Sequence, residues 1–307
     1  MTRVVAVSTN PAIDRIALAP GAAGGGVVRA DQLLETPGGK AAHVAMVAAA
    51  LGAEARFVAP AGGPLLGELL AAAGLPAALV PVAARTRGTY TVVDPEAGDV
   101  IEVHEPSGPL TAGECDALVA AAAEAFAGAT VAVIAGSLPP GADPGLHARL
   151  AEAAAGAFTV VDTSSAPALE RALAAGVDLV APNEAEARAL VGATTNAGVG
   201  DLAGALCNRG AGAAWVSAGA DGSYLADGDG AWHFAAPPPD RIVNAVGCGD
   251  ALVGGLAAGI ARGLGLHDAA ALGTAAAADK LRHLHSGRVD GAAVETLVPA
   301  IVQRRVA

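Results

Sequence analysis

Short runs rich in Val and Ala recur along this chain with longer helical stretches between them, and that alternation restricts the fold more than any single residue does. The runs lie at residues 4–7, 55–59, 130–135, 158–162, 179–181 and 213–217. Strands that alternate with helices predict an α/β fold, with a mainly parallel sheet covered on both faces. In such a sheet the ligand sits beyond the carboxyl ends of the strands. The loops expected there carry unusual residues: Asn10-Pro11, Gly136-Ser-Leu-Pro-Pro-Gly141, Asp162-Thr-Ser-Ser165 and Pro182-Asn-Glu-Ala-Glu186.

Two segments break the alternation. Residues 14–33 and 88–104 read as extended pieces with turns, the second bent around Asp94-Pro-Glu-Ala-Gly-Asp99. They are expected either to leave the main sheet together as a small β lid, with segments 12–34 and 86–106, or to be ordinary edge strands. The chain after Asp250 reads as almost entirely helical. No internal repeat or long linker is evident.

Hydrophobic residues make up 53% of the 307 and aromatics only 3%, so Ala, Val and Leu must fill the interior. The 18 Lys and Arg against 30 Asp and Glu give a net charge of −12, which opposes binding to nucleic acid or an anionic membrane. Cys115, Cys207 and Cys248 are odd in number and form no CxxC pair, which argues against a disulfide framework or zinc site and for a reducing, cytoplasmic setting. The start, Met-Thr-Arg-Val-Val-Ala-Val-Ser, reads as a strand rather than a signal peptide. Charged residues or glycine interrupt the apolar stretches, at Glu124, Gly128 and Arg262, so no membrane span is expected.

Chemistry concentrates in Asn244-Ala-Val-Gly-Cys-Gly-Asp-Ala-Leu-Val-Gly-Gly-Leu256. Gly247 and Gly249 leave amides at the start of a helix free to face an anion, and the helix dipole adds positive charge there. Asp250 beside them would repel a resting phosphate, yet it can take a proton from a hydroxyl attacking phosphorus. The bland alternative is a turn with Asp250 complementing the helix dipole. A dinucleotide fingerprint fails at Leu252, and a Walker loop ending at Lys40 fails at Leu34 and Ala41.

Seven motifs follow in order: Asn10-Pro-Ala-Ile-Asp14, Gly38-Gly-Lys-Ala-Ala-His-Val-Ala45, Arg85-Thr-Arg87, Gly136-Ser-Leu-Pro-Pro-Gly141, Pro182-Asn-Glu-Ala-Glu186, Val216-Ser-Ala-Gly-Ala-Asp-Gly222 and Val246-Gly-Cys-Gly-Asp250. Together they resemble the ribokinase or PfkB-type sugar kinases, in the 1-phosphofructokinase and tagatose-6-phosphate kinase branch. The resemblance runs nearly end to end and implies a single ribokinase-like domain over residues 1–307, a three-layer sandwich with a β lid. It implies Asp250 as catalytic base, with the amides of Gly247, Cys248 and Gly249 as anion hole. It implies Asp14, Gly38, Gly39, Lys40, His43, Arg87 and Ser137 around the acceptor sugar. Asn183, Glu186, Ser217, Gly219, Gly222, Gly249 and His285 would hold ATP, with His285 near the adenine and Glu186 binding Mg2+ through water.

Asn183 followed three residues later by Glu186 also reads as a helix capping box, which needs no metal. Lys40, Arg85 and Arg87 would make a phosphate clamp if they converge under the lid, and otherwise are solvated surface cations. The family pattern is broken where Ala41 and His43 replace a glycine and an asparagine, and where Ala181 replaces a basic residue. The expected activity is ATP-dependent phosphorylation of a ketohexose phosphate: fructose 1-phosphate, tagatose 6-phosphate or fructose 6-phosphate. The alternatives are a kinase for an unphosphorylated sugar or nucleoside, and a noncatalytic sugar-phosphate or nucleotide-binding regulator. A homodimer formed through the lid is expected as well.

Overall fold

Each of the six Val- and Ala-rich runs contributes a strand to one sheet in the computed structural model, which describes residues 3–192 and 197–306. The first half of the chain forms β1 (Arg3–Ser8), β2 (Ala12–Leu18), β3 (Gln32–Gly38), α1 (Lys40–Ala50), β4 (Glu54–Ala61), α2 (Leu65–Ala72), β5 (Ala77–Pro81), β6 (Arg87–Asp94), β7 (Asp99–His104) and α3 (Ala112–Phe126). Then come β8 (Val131–Ala135), α4 (Leu146–Ala153), β9 (Phe158–Asp162), α5 (Ala166–Ala174), β10 (Leu179–Val180), α6 (Glu184–Val191), α7 (Val199–Cys207) and β11 (Ala213–Ser217). The chain finishes with β12 (Ser223–Asp227), β13 (Gly230–Ala235), α8 (Cys248–Ala261), α9 (Leu266–Lys280), α10 (Gly291–Leu297) and β14 (Val302–Val306).

The main sheet has the order β14-β13-β12-β11-β10-β9-β8-β1-β4-β5. From β11 to β5 all neighbours pair in parallel, because a helix carries the chain back before each new strand. Strand side chains alternate between two cores. Val4 and Ala6 face α1, α8 and α9 on one side, whereas Val5 and Val7 face α3 to α7 on the other. Scarce aromatics are offset by close helix packing: a Cβ on Gly273 of α9 would collide with the Trp215 ring and the Leu252 carbonyl of α8. Enlarging such a residue typically costs about 1–3 kcal/mol.

The crossovers from β1 to β4 and from β5 to β8 each carry two extra strands, and these pair as a separate sheet ordered β3-β2-β6-β7. Residues 14–33 and 88–104 therefore leave the main sheet rather than edge it, joined by the parallel pairing of β2 with β6. The first segment runs further than residue 34, since β3 continues to Gly38, and a 3-10 turn at Ala22–Gly24 interrupts it. One face of this small sheet buries Asp14, Ile16, Thr89, Thr91 and Val93. Its other face exposes Leu33, Tyr90, Ile101 and Val103.

The expectation of an almost wholly helical C-terminus fails at its end. Residues 302–306 form β14, antiparallel to β13, which closes an edge that the β12–β13 hairpin would leave open. Among the described residues, no helix is long and apolar enough to cross a membrane.

Candidate active site

The order of strands reverses between β1 and β8, and the crevice beyond their carboxyl ends is where a ligand is expected. Asn10 spans it, donating through Nδ2 to Ser137 Oγ at 2.8 Å and to Ser107 Oγ at 2.7 Å. Three further groups of residues converge around this crevice.

The first is the start of α8. Gly247 caps the helix at φ 89°, a left-handed conformation, and a Cβ there would strike the Ser286 carbonyl. Only glycine meets both conditions. The Cys248 amide makes a long 3.3 Å bond to the Ala245 carbonyl, so it is partly engaged in the turn rather than wholly free. Asp250 follows in the first turn, 9% exposed. Burial pushes the Cys248 thiol up to about 11, so it stays protonated and inert while its backbone serves the helix end.

The second group is a chain of charges through His43. Its Nδ1 lies 2.6 Å from Asp250 Oδ2, and its Nε2 lies 2.8 Å from Asp14 Oδ2. Thr89 Oγ1 donates to the other Asp14 oxygen. Burial works to lower the His43 pKa, but Asp14 and Asp250 outweigh it and push the value up to about 10. An imidazolium thus donates from both nitrogens to two carboxylates. Asp14 is held below the usual carboxylate range: burial raises it, and His43 with Thr89 overcomes that. Gly38 makes room for this carboxylate, since a Cβ at that position would overlap it.

The third group surrounds Lys40 at the start of α1. Its Nζ is 2.5 Å from Asp162 Oδ1 and 4.0 Å from Glu186 Oε1. Burial opposes the ammonium, yet Asp162, Asp250 and Glu186 raise its pKa. Burial, only partly offset by Lys40, lifts Asp162 to about 6, with Asp250 and Glu186 adding to the rise. Glu186 Oε2 accepts from the Asn183 amide, and Asn183 Oδ1 accepts from the Glu186 amide, a complete capping box on α6. Asn183, Arg188, Ser217 and Gly219 line an open groove beside it. Gly222, at φ 86°, packs against the Phe234 carbonyl behind that groove rather than lining it.

Of the three expected clamp cations, Arg85 and Arg87 share one pocket and Lys40 is not in its lining. Lys40 is drawn to the buried carboxylates of Asp162 and Glu186, and Arg85 is paired with Glu105 at 2.9 Å on the surface. Arg87 and Arg85 both line a small, half-open pocket with Thr9, Asn10, Gly62 and Gly108. Arg87 Nε is buried without a hydrogen-bond partner among the described residues. Burial depresses the guanidinium below its ordinary value, with Asp14 opposing. An orphaned buried donor costs about 1–3 kcal/mol, which an anion in the cavity would recover.

His285 stands in the loop that follows α9. It lies within electrostatic reach of His43 and Asp14, and its Nδ1 accepts from the Gly287 amide at 2.9 Å. Burial first, then the charged His43, pushes it down to about 4, so it is neutral. The loop carrying His285 is packed tightly on α1, where a Cβ on Gly287 would overlap Met46 and crowd His43. Sequence reasoning assigned no role to Asp162, Thr89, Asn244 or Lys280. A lone Asp ending the apolar run of β9 was the available signal for Asp162.

The model for the pfkB family carbohydrate kinases matches residues 1–287. The 1-phosphofructokinase of Rhodobacter capsulatus is 35% identical over 281 residues, covering 89% of this chain and 88% of that protein. The ATP-dependent 6-phosphofructokinase isozyme 2 of Mycobacterium tuberculosis (strain H37Rv) is 32% identical over 293 residues, 91% of this chain and 84% of its own length. The crystal structure of Escherichia coli phosphofructokinase-2 in complex with fructose-6-phosphate superposes with a TM-score of 0.86 at 29% identity, covering 97% of this chain and 99% of that one. With a ribokinase-like fold and this agreement over nearly its whole length, the chain belongs to the pfkB family of carbohydrate kinases, enzymes that transfer phosphate to a sugar hydroxyl.

Proposed function

We propose that this kinase transfers the γ-phosphoryl group of ATP to a primary hydroxyl of a ketohexose phosphate, with fructose 1-phosphate, fructose 6-phosphate and tagatose 6-phosphate as the candidates. The observation that carries the reading is the unsatisfied, buried Nε of Arg87 in a cavity next to Asp14. An acceptor whose own phosphate pairs with Arg87 can place its hydroxyls against Asp14 and the reacting one against Asp250. The relatives named 1-phosphofructokinase and 6-phosphofructokinase support this substrate class.

Asp250 then takes the proton from the attacking hydroxyl, while the α8 amides and dipole stabilise charge on the phosphoryl oxygens. The groove of Asn183, Arg188, Ser217 and Gly219 suits the nucleotide, being open and mainly apolar, with a few polar groups at its edge. Glu186, whose Oε1 faces Lys40 outside the capping box, would hold Mg2+ with Asn183 through water, and the ion would neutralise phosphate charge. The small sheet, which buries Asp14 and Thr89, limits water at the acceptor. Its apolar outer face, with Leu33, Tyr90, Ile101 and Val103 exposed, supports a homodimer through the lid.

The test is ADP release measured with phosphorylated and free ketohexoses, for the wild type and Arg87→Ala. The reading requires turnover with a ketohexose phosphate and an acceptor KM raised at least about ten-fold in the variant. Equal rates on free and phosphorylated sugars, or an unchanged KM, would reject it.

A further inference from the structure

Lys280 is a buried cation for which phosphoryl transfer, as described above, has no use. It ends α9, is 0% exposed, and its Nζ donates to the Asn244 carbonyl at 2.8 Å and the His283 carbonyl at 3.2 Å. Burial pushes it down to about 8, with Cys248 and Asp250 resisting, so the charge faces the start of α8. An ammonium held by two carbonyls at a helix C-terminus is stabilised by the negative end of the dipole. Even so, a buried charge is weak evidence for stability, since an apolar side chain of similar volume commonly does as well or better. Retaining the charge therefore points to a role in the site.

The surroundings show what that role is. Asn244 Nδ2 donates to the Leu284 carbonyl at 2.8 Å, and the Val243 amide donates to the Leu281 carbonyl at 2.7 Å. Asn244 Oδ1 accepts from the Val246 amide at 3.0 Å, one residue before Gly247, which itself rests on the Ser286 carbonyl. Two loops, residues 243–247 and 281–286, are thus laced together behind the α8 amides, with the Lys280 ammonium at the knot. Carbonyl oxygens turned inward onto one positive charge are the coordination that a monovalent metal ion receives from protein.

We propose that Lys280 is a positioning residue that acts as a built-in monovalent cation: its ammonium holds the two loops so that the α8 amides face the transferring phosphoryl group. The enzyme accordingly needs no added potassium or ammonium for this purpose. The proposal rests on the kinase reading, and its test separates the two.

Wild type, Lys280→Ala and Lys280→Met are compared in potassium, ammonium and tetramethylammonium chloride at equal ionic strength, by kcat and by melting temperature. Wild-type kcat is expected to be the same in all three salts. In tetramethylammonium, Lys280→Ala loses about ten-fold to a hundred-fold in kcat, the scale of a displaced catalytic group. Potassium or ammonium restores its rate and raises its melting temperature, because either fits between the two vacated carbonyls. Lys280→Met, which fills the space without charge, stays slow in every salt. The proposal is overturned by wild-type turnover that depends on potassium, by wild-type kcat in Lys280→Met, or by Lys280→Ala that shows no cation response in melting or rate. If the kinase reading itself is wrong, the wild type releases no ADP with any sugar phosphate, while the melting response still reports on Lys280.

Discussion

Replacing His43 with Asn should remove from this protein a stabilisation that depends on pH in a way that only a buried imidazolium explains. His43 is 4% exposed and donates to Asp250 and Asp14 at 2.6 and 2.8 Å. Its pKa is pushed from 6.5 up to about 10. A group whose folded pKa is raised contributes fully below its unfolded pKa, and the contribution is lost as pH rises through the folded one. Between pH 6.5 and about 10 the folded protein therefore binds one more proton at this site than the unfolded chain. One proton corresponds to at most about 1.4 kcal/mol per pH unit. Asn is neutral and cannot hold that proton, so the advantage of wild type over His43→Asn should shrink by about 2–3 kcal/mol from pH 7 to pH 9. Titrating groups common to both proteins and remote from residue 43 drop out of the difference. Urea unfolding followed by circular dichroism at pH 7, 8 and 9, extrapolated linearly to water, measures it. A difference that stays constant across that range, or a variant more stable than wild type at pH 7, would refute the charged His43.

Three further outcomes follow from the geometry. Asp250→Asn should lower kcat by about a hundred-fold or more while nucleotide binding is retained, as for a lost general base, and steady-state kinetics with isothermal titration would detect the opposite. Gly247→Ala puts a Cβ against the Ser286 carbonyl at a positive φ, a strain of about 1–3 kcal/mol visible in thermal melts, and it should slow turnover more than it weakens acceptor binding. Ile101→Asp with Val103→Asp charges the outer face of the small sheet, so sedimentation should show a monomer where the wild type is dimeric; a monomeric wild type would remove that assembly.

Much of this architecture was legible before any coordinates. Six apolar runs marked six of the main-sheet strands, because a strand covered on both faces has to be apolar nearly throughout. Gly247-Cys-Gly-Asp250 pointed to the start of a helix because a left-handed cap and free amides are properties of the local chain. The strands β12, β13 and β14, like the short parallel edge strand β5, were missed: all four are only partly buried, and the last three pair antiparallel. The partners of the charged residues were not legible either. Lys40 and Arg87 looked alike as isolated cations, yet one meets Asp162 from a strand 122 residues away and the other is left with an unpaired Nε in a cavity.

Local patterning along the chain, then, settled the class of fold, the start of α8 and the place of Asp250 in its first turn, since each depends on neighbours within a few residues. Tertiary folding alone decided that His43 joins Asp14 to Asp250, that His285 turns toward that pair, and that Lys280 is sealed behind the amides. Charge and hydrogen bonding act through space at a few ångströms, and residues brought that close by the crossovers of a parallel sheet are far apart in the chain.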